Sequence, residues 1–179
     1  DLIITKFSLS FFGNEIHLGE FSIFFSIFCI IILKNALNFY DGINGQSGIF
    51  YLIVFTFLYL KGDQSYFYLM LISILIFVLY LNLAKKIFFG DSGVYAISAV
   101  IIVSIIFEHN IQENIFYADE IFLLLILPGF DLVRLTVQRL ISNKNIFSYD
   151  REHLHYLLMK KNSLLNTNII FLTLIIFSI

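Results

Sequence analysis

The sequence predicts an all-α protein, a multi-pass transmembrane helical bundle with a short extracytoplasmic β-hairpin and polar loops on the cytoplasmic side. Three observations carry this expectation. Of 179 residues, 59% are hydrophobic and 13% are charged, against roughly 25% charged in an ordinary soluble domain, and the mean hydropathy is +0.90. The apolar residues come in long blocks, at 21–33, 49–60, 66–81, 94–107 and 121–127, rather than in the one-sided stripes of water-facing helices. Charged and glycine-rich stretches fall between the blocks.

Residues 7–12 and 15–18 are short β-prone stretches, and Gly13-Asn14 between them predicts the turn of a small hairpin at the membrane surface. A helix is expected from about Gly19 to about Asn38, its polar end carrying Lys34, Asn35 and Asn38, followed by the loop Asp41-Gly-Ile-Asn-Gly-Gln-Ser-Gly48. Helices over about 49–60 and 66–84, joined by the polar turn 61–65, form an antiparallel pair. Phe88-Phe-Gly-Asp91-Ser-Gly93 opens a fourth helix, about 94–107, and the acidic stretch 108–120 leads to the fifth apolar block. Pro128-Gly129 is expected to bend or break that fifth helix. Asp131, Arg134 and Gln138 share one helical face, as a buried ion pair or as a group facing substrate. The chain then stays polar to Asn166, and the last apolar run, 169–179, is shorter than the ~20 residues of a membrane helix. Residues 1–179 therefore read as one integral-membrane domain cut from a longer protein, lacking N-terminal helices and truncated in its last helix.

Assigning the loops to alternate faces puts nine of the 11 Lys and Arg residues on one side, including Lys34, Lys85, Lys86, Arg134, Arg139 and Arg151, and leaves Lys6 and Lys61 on the other. Basic loops stay in the cytoplasm, so the Asp41 loop, the Asp91 loop and residues 142–166 are expected together there. A net charge of -2 without a basic excess argues against a nucleic-acid partner. The single cysteine, Cys29, lies in an apolar block, which excludes a disulfide within the chain and suits a packing or lipid-facing thiol.

Three polar clusters carry chemistry. The first, residues 35–48, runs amides and one carboxylate into a glycine-rich loop; alone it could be a helix cap and turn. The second, residues 88–93, combines glycines that admit a phosphate with Asp91, which can hold a metal by oxygen. The third, Asp150-Arg-Glu-His153-Leu-His155, sets two imidazoles beside a guanidinium able to grip phosphate. It is a poor zinc site, because Cys29 is remote and no third ligand has suitable spacing.

In order and wording these clusters resemble the polyprenyl-phosphate N-acetylhexosamine-1-phosphate transferases. The resemblance runs over essentially the whole chain, through Asn35-Ala-x-Asn38-x-x-Asp41-Gly-x-Asn44-Gly, Phe88-x-Gly-Asp91-x-Gly, Pro128-x-x-Asp131-x-x-Arg134 and Asp150-Arg151-x-His153-x-His155. It implies a bacterial cytoplasmic-membrane enzyme with cytoplasmic catalytic loops that moves N-acetylhexosamine-1-phosphate from a UDP-sugar onto polyprenyl phosphate and releases UMP. It further implies Mg2+, or Mn2+ in its place, held by Asp91; catalytic roles for Asp41, Asp91, His153 and His155; and substrate contacts from Asn35, Asn38, Asn44, Phe88 and Arg151. UDP-N-acetylhexosamine, polyprenyl phosphate and membrane lipid are the expected partners, and a homodimer is open. Asn44 and Tyr156 replace an aspartate and a histidine found in many members, and the family's upstream aspartate-rich loop has no counterpart, so this segment alone is expected to be inactive. The competing readings are a secondary transporter, which would place its polar groups near the bilayer midplane, and a relative that keeps the scaffold without the activity.

Overall fold

The computed structural model describes residues 2–111, 117–143 and 152–178. An antiparallel hairpin, β1 (Lys6–Leu9) and β2 (Phe12–His17), leads through a 3-10 turn at Gly19–Phe21 into α1 (Ser22–Tyr40). There follow α2 (Gln46–Lys61), α3 (Ser65–Leu83), α4 (Gly90–Ile111), α5 (Ala118–Leu124), α6 (Ile126–Ile141), α7 (Leu154–Met159) and α8 (Leu164–Ser178). Among the described residues, three helical stretches are long and apolar enough to cross a membrane, Gly19–Tyr40, Ser65–Leu83 and Gly90–Ile111; α2 and α8 are apolar but shorter.

The core gathers Leu37 and Tyr40 of α1, Phe50, Tyr51 and Phe55 of α2, Ile101 of α4 and Phe171 of α8. The Tyr40 ring meets Phe50 at a tilt of 60° with centroids 5.3 Å apart and meets Phe171 edge-on at 5.6 Å, distances at which aromatic pairs attract. α3 is apolar all round and leaves Tyr66, Ile76, Phe77 and Tyr80 exposed, the surface a helix presents to hydrocarbon rather than to water.

Two sequence expectations move by a few residues. The hairpin turns at Ser10-Phe11, not at Gly13-Asn14. Pairing runs Lys6 with His17, Phe7 with Ile16 and Ser8 with Glu15, then shifts so that Leu9 faces Phe12, which makes Gly13 and Asn14 the surplus residues of an irregularity in β2. The cause is tertiary: the Asp119 carboxylate accepts from both the backbone N–H of Ser10, at 2.9 Å, and its hydroxyl, and glycine suits a bulge as well as a turn. The break in the fifth apolar block comes at Leu125, between α5 and α6, rather than at Pro128. Pro128 is the third residue of α6, where the missing N–H has no intrahelical acceptor to lose.

The two ends of the bundle differ. At the hairpin end, the fully buried Glu108 of α4 accepts from the N–H groups of Asp63 and Gln64, at 3.0 and 3.3 Å, and from the Tyr68 hydroxyl at 2.7 Å. It thus satisfies amides at the start of α3 that the helix itself cannot pair. Lys61 pairs with Glu120 at 2.6 Å across the same end. The other end collects the α1–α2 loop, the α3–α4 connection and the start of α7.

Candidate functional site

Asp41 caps the C-terminus of α1, and the loop after it is held from three sides. The Ser47 hydroxyl donates to the Asp41 carboxylate. Asn168 of α8 donates its side-chain N–H to the Asn44 carbonyl at 2.9 Å. The Gly45 N–H donates to the side-chain oxygen of Asn82 of α3 at 2.6 Å. Gly45 has φ +94, and a Cβ there would stand 2.6 Å from Asn168 Nδ2 and 2.7 Å from Leu83 Cδ2, so only glycine fits both the backbone and the space.

The Phe88–Asp91 segment is seated by its neighbour. Phe89 packs edge-on against Tyr51 at 5.7 Å, and a Cβ on Gly48 would come within 3.3 Å of its ring. Phe88, next in line, points the other way and is 82% exposed, free to stack on a planar ligand. Gly90 opens α4 with φ +63. Asp91 is the second residue of that helix, inside its first turn, and not the cap of a helix starting near Val94. Asp91 lies close enough to Asp41 for its charge to matter. Burial pushes the Asp41 carboxyl above the usual carboxylate range, the Ser47 hydrogen bond opposes this, and the negative charge of Asp91 adds to the rise.

The third cluster is built on α6. Asp131, almost fully buried, receives Arg134 at 2.8 Å, His153 Nδ1 at 3.1 Å and the Leu154 N–H at 3.1 Å. Arg134 also donates to the Glu152 carbonyl at 2.6 Å, and the Gln138 amide to the Glu152 carboxylate at 2.8 Å. The polar face at 131, 134 and 138 is thus an ion pair whose further partners are the backbone and side chains leading into α7. His153 stacks on His155 with ring centres 5.3 Å apart and planes 10° apart, and meets Phe39 of α1 at 5.6 Å. His155 is buried, and among the described residues neither ring nitrogen has a hydrogen-bond partner. Burial, with the nearby His153, pushes its pKa down to about 4, so the ring is neutral near pH 7.

The structure therefore brings Asp41, Asp91, His153 and His155 to one end of the bundle, through the Asp41–Asp91 interaction and through His155, which lies against Gly42. Asn38 and the half-buried Asn44 flank Asp41. Asn35 sits one turn earlier, exposed, with its amide donated to the Ile31 carbonyl of its own helix, so nothing ties it to the cluster. Arg151 lies outside the described residues. Ser47, Asn82 and Asn168 also hold this end together although no motif of the sequence marks them, whereas Gly42 belongs to the Asp41 motif. For Asn82 and Asn168 a signal existed: each is an amide within an apolar helical run, where polar groups are seldom idle.

Among the described residues, no group of three or more His, Cys, Asp and Glu side chains could hold a metal. A magnesium ion does not require one. It commonly takes one or two carboxylates and completes its shell with water and substrate phosphate; Asp41 and Asp91 are two carboxylates whose charges act on one another.

Fold and geometry together define a helical membrane-type protein whose Asp41 loop, Asp91 and His153-His155 pair converge at one end. The sequence model of the family described as "Glycosyl transferase family 4" matches residues 1–109, and the chain belongs to that family. It is 26% identical over 171 residues to the "Undecaprenyl-phosphate alpha-N-acetylglucosaminyl 1-phosphate transferase" of Escherichia coli (strain K12), covering 89% of this chain and 46% of the relative. The protein of the same name from Salmonella typhimurium is 27% identical over 176 residues, covering 89% and 48%. The "Phospho-N-acetylmuramoyl-pentapeptide-transferase" of Streptococcus mutans is 35% identical over 101 residues, covering 52% and 30%. The chain spans about half the length of the first two relatives. No solved structure matches it.

Proposed function

We propose that the whole protein is a membrane transferase that moves an N-acetylhexosamine-1-phosphate from a UDP-sugar to a polyprenyl phosphate such as undecaprenyl phosphate. The observation that carries this reading is the meeting of the Asp41 loop, Asp91 and the His153-His155 pair at one end of the bundle. An oxygen of the polyprenyl phosphate attacks the β-phosphorus of the UDP-sugar; the bond from that phosphorus to the bridging oxygen breaks; UMP leaves with the bridging oxygen. The product is a polyprenyl-diphosphate sugar.

Phosphoryl transfer needs positioning and charge neutralisation more than covalent help from the protein. Asp41 and Asp91 would hold Mg2+, which when bound neutralises charge on the diphosphate. Phe88 offers its exposed face to the uracil ring, and Asn38 and Asn44 offer amides to the nucleoside. His155, neutral, and His153, set by Asp131, line the side toward the phosphates, with Arg151 assigned there from the motif alone. An apolar groove of about 630 Å3 between α1, α4, α5 and α6, lined by Phe28, Leu33, Ile105, Phe122 and Val133, suits a prenyl chain. Its α6 wall includes Gly129, Phe130 and Val133, which flank Asp131 in sequence. The nine-to-two distribution of basic residues favours a cytoplasmic site.

The test is a product assay. Membranes carrying the complete gene, given undecaprenyl phosphate and a series of radiolabelled UDP-sugars, should move label into the lipid fraction with one molecule of UMP per labelled lipid. Label that enters the lipid with release of UDP, or no transfer from any UDP-N-acetylhexosamine, overturns the reading.

A further inference from the structure

One peptide group in the loop after Asp41 is gripped at both ends. The carbonyl of Asn44 accepts from Asn168 of α8, and the N–H on the other side of that same peptide bond, of Gly45, donates to Asn82 of α3. Both amide side chains are buried, at 3% and 6% exposure for Asn82 and Asn168. The plane of the peptide that follows Asn44 is therefore held from both sides. A second bond from Asn82 extends the grip. Its side-chain N–H donates to the Ile87 carbonyl at 3.1 Å, one residue before Phe88 and four before Asp91. One amide, with one acceptor and one donor in use, spans two segments 42 residues apart at their bonded atoms, Gly45 and Ile87. The bond to Gly45 is buried and the bond to Ile87 part-buried, and a buried hydrogen bond left unmade is costly.

We propose that Asn82 is a positioning residue of the transferase site, locking the loop that carries Asp41 and Asn44 to the segment that carries Phe88 and Asp91 so that the nucleotide is received by one rigid body. The proposal rests on the reading of those residues as the nucleotide-binding wall. No other natural side chain of this size repeats the contact. Leucine fills the space and makes neither bond. Aspartate keeps the acceptor for Gly45 but cannot donate, and it turns a negative oxygen toward the Ile87 carbonyl. Either change leaves the residues that would touch substrate in place and frees their relative position, and misplacements of about 1 Å at such a site cost up to about a hundredfold.

The test is calorimetric titration of UMP with Mg2+ into the purified full-length protein, for wild type, Asn82→Leu and Asn82→Asp, beside a thermal melt in the same detergent. The expected result is a UMP affinity lowered at least about tenfold in both variants, with a matching rise in KM for the UDP-sugar and melting points close to wild type. Asn82→Asp, nearly isosteric and still able to receive the Gly45 N–H, keeps the test alive if the leucine variant does not fold. A merely structural role predicts a smaller folded fraction that binds UMP with wild-type affinity, and that result in Asn82→Asp overturns the proposal. If wild type gives no heat with UMP, the nucleotide-site reading falls and takes the clamp with it; if wild type binds and the variants bind as well, only the clamp falls.

Discussion

His155 Nε2 lies 1.8 Å from the place where a Cβ on Gly42 would stand. No real pair of atoms tolerates that distance, so the residue after Asp41 must be glycine for as long as His155 keeps its buried place. The contact joins two motifs more than a hundred residues apart, and it explains a glycine beside Asp41 that could otherwise be put down to turn geometry.

Gly42→Ala is therefore expected to displace His155, lower the melting point of the full-length protein and reduce turnover by about a hundredfold or more. The double variant Gly42→Ala with His155→Ala should regain most of the lost thermal stability, because the clash is gone, while staying inactive. Equal melting points for Gly42→Ala and wild type in detergent would mean that the two residues do not touch.

Asp91 is expected to be required for charge neutralisation rather than for the helix. In the first turn of α4 a carboxylate contributes about 0.3–1 kcal/mol through the helix dipole, so Asp91→Asn should fold and insert nearly as wild type. Turnover, measured as labelled lipid across a Mg2+ titration, should fall by several orders of magnitude and be little restored by excess Mg2+. Retention of more than about a tenth of wild-type turnover at saturating Mg2+ would leave the residue with a purely structural role.

The buried, neutral His155 makes stability depend on pH. Its pKa falls from 6.5 to about 4 on folding, so the unfolded chain binds the extra proton in that window and stability rises with pH there, then levels off above about 6.5. On going down in pH the loss is at most about 1.4 kcal/mol per unit until about pH 4. Melting curves between pH 7.5 and 5 should show this slope in wild type and a smaller one in His155→Gln. Identical slopes would place the ring in contact with water.

Glu108 is expected to matter for stability and not for transfer. Removing its carboxylate leaves the N–H groups of Asp63 and Gln64 and the Tyr68 hydroxyl without that acceptor. Glu108→Ala should cost about 3 kcal/mol or more, read as a lower melting point, with turnover per folded molecule unchanged because the site is at the other end.

Orientation can be read with an impermeant thiol reagent on intact cells, in a Cys29→Ser background. A cysteine at Asn14, in the hairpin, should be labelled, and one at Ser92 should not. The reverse pattern would put the Asp91 end outside the cell and exclude the proposed use of cytoplasmic nucleotide sugars. The acidic stretch 108–120, expected on the outer face, falls partly outside the described residues, and the hairpin serves in its place.

How far the sequence alone reaches can be judged from particular residues. The apolar blocks locate the helices because burial in lipid leaves few alternatives for the backbone, and the motifs locate Asp41, Asp91 and the two histidines. The hairpin turns at Ser10-Phe11 and not at Gly13-Asn14 because Asp119, over a hundred residues away, captures Ser10; no local rule contains that contact. The break falls at Leu125 and Pro128 stands inside α6, because proline signals a helix boundary without saying whether the residue stands before it or in the first turn after it. Asp131 and Arg134 read equally well as an ion pair or as substrate ligands, and only the position of His153 shows that the pair is formed and what it holds. Asn82 and Asn168 were invisible as partners, since two amides in apolar helices announce a need for hydrogen bonds and not where these are made.

The bond from Asn168 to the Asn44 carbonyl joins residues 124 positions apart, which sets an order of events during synthesis. A ribosome adding roughly 5–20 residues per second makes Asn168 on the order of ten seconds after Asn44. Through that interval the loop after Asp41 has one of its two amide tethers at most, and α7 with its histidines has not yet arrived to rest on Gly42. The end of the bundle that carries Asp41 is thus completed only when α8 arrives, so a chain whose translation stops before Asn168 can be inserted and helical and still lack that tether.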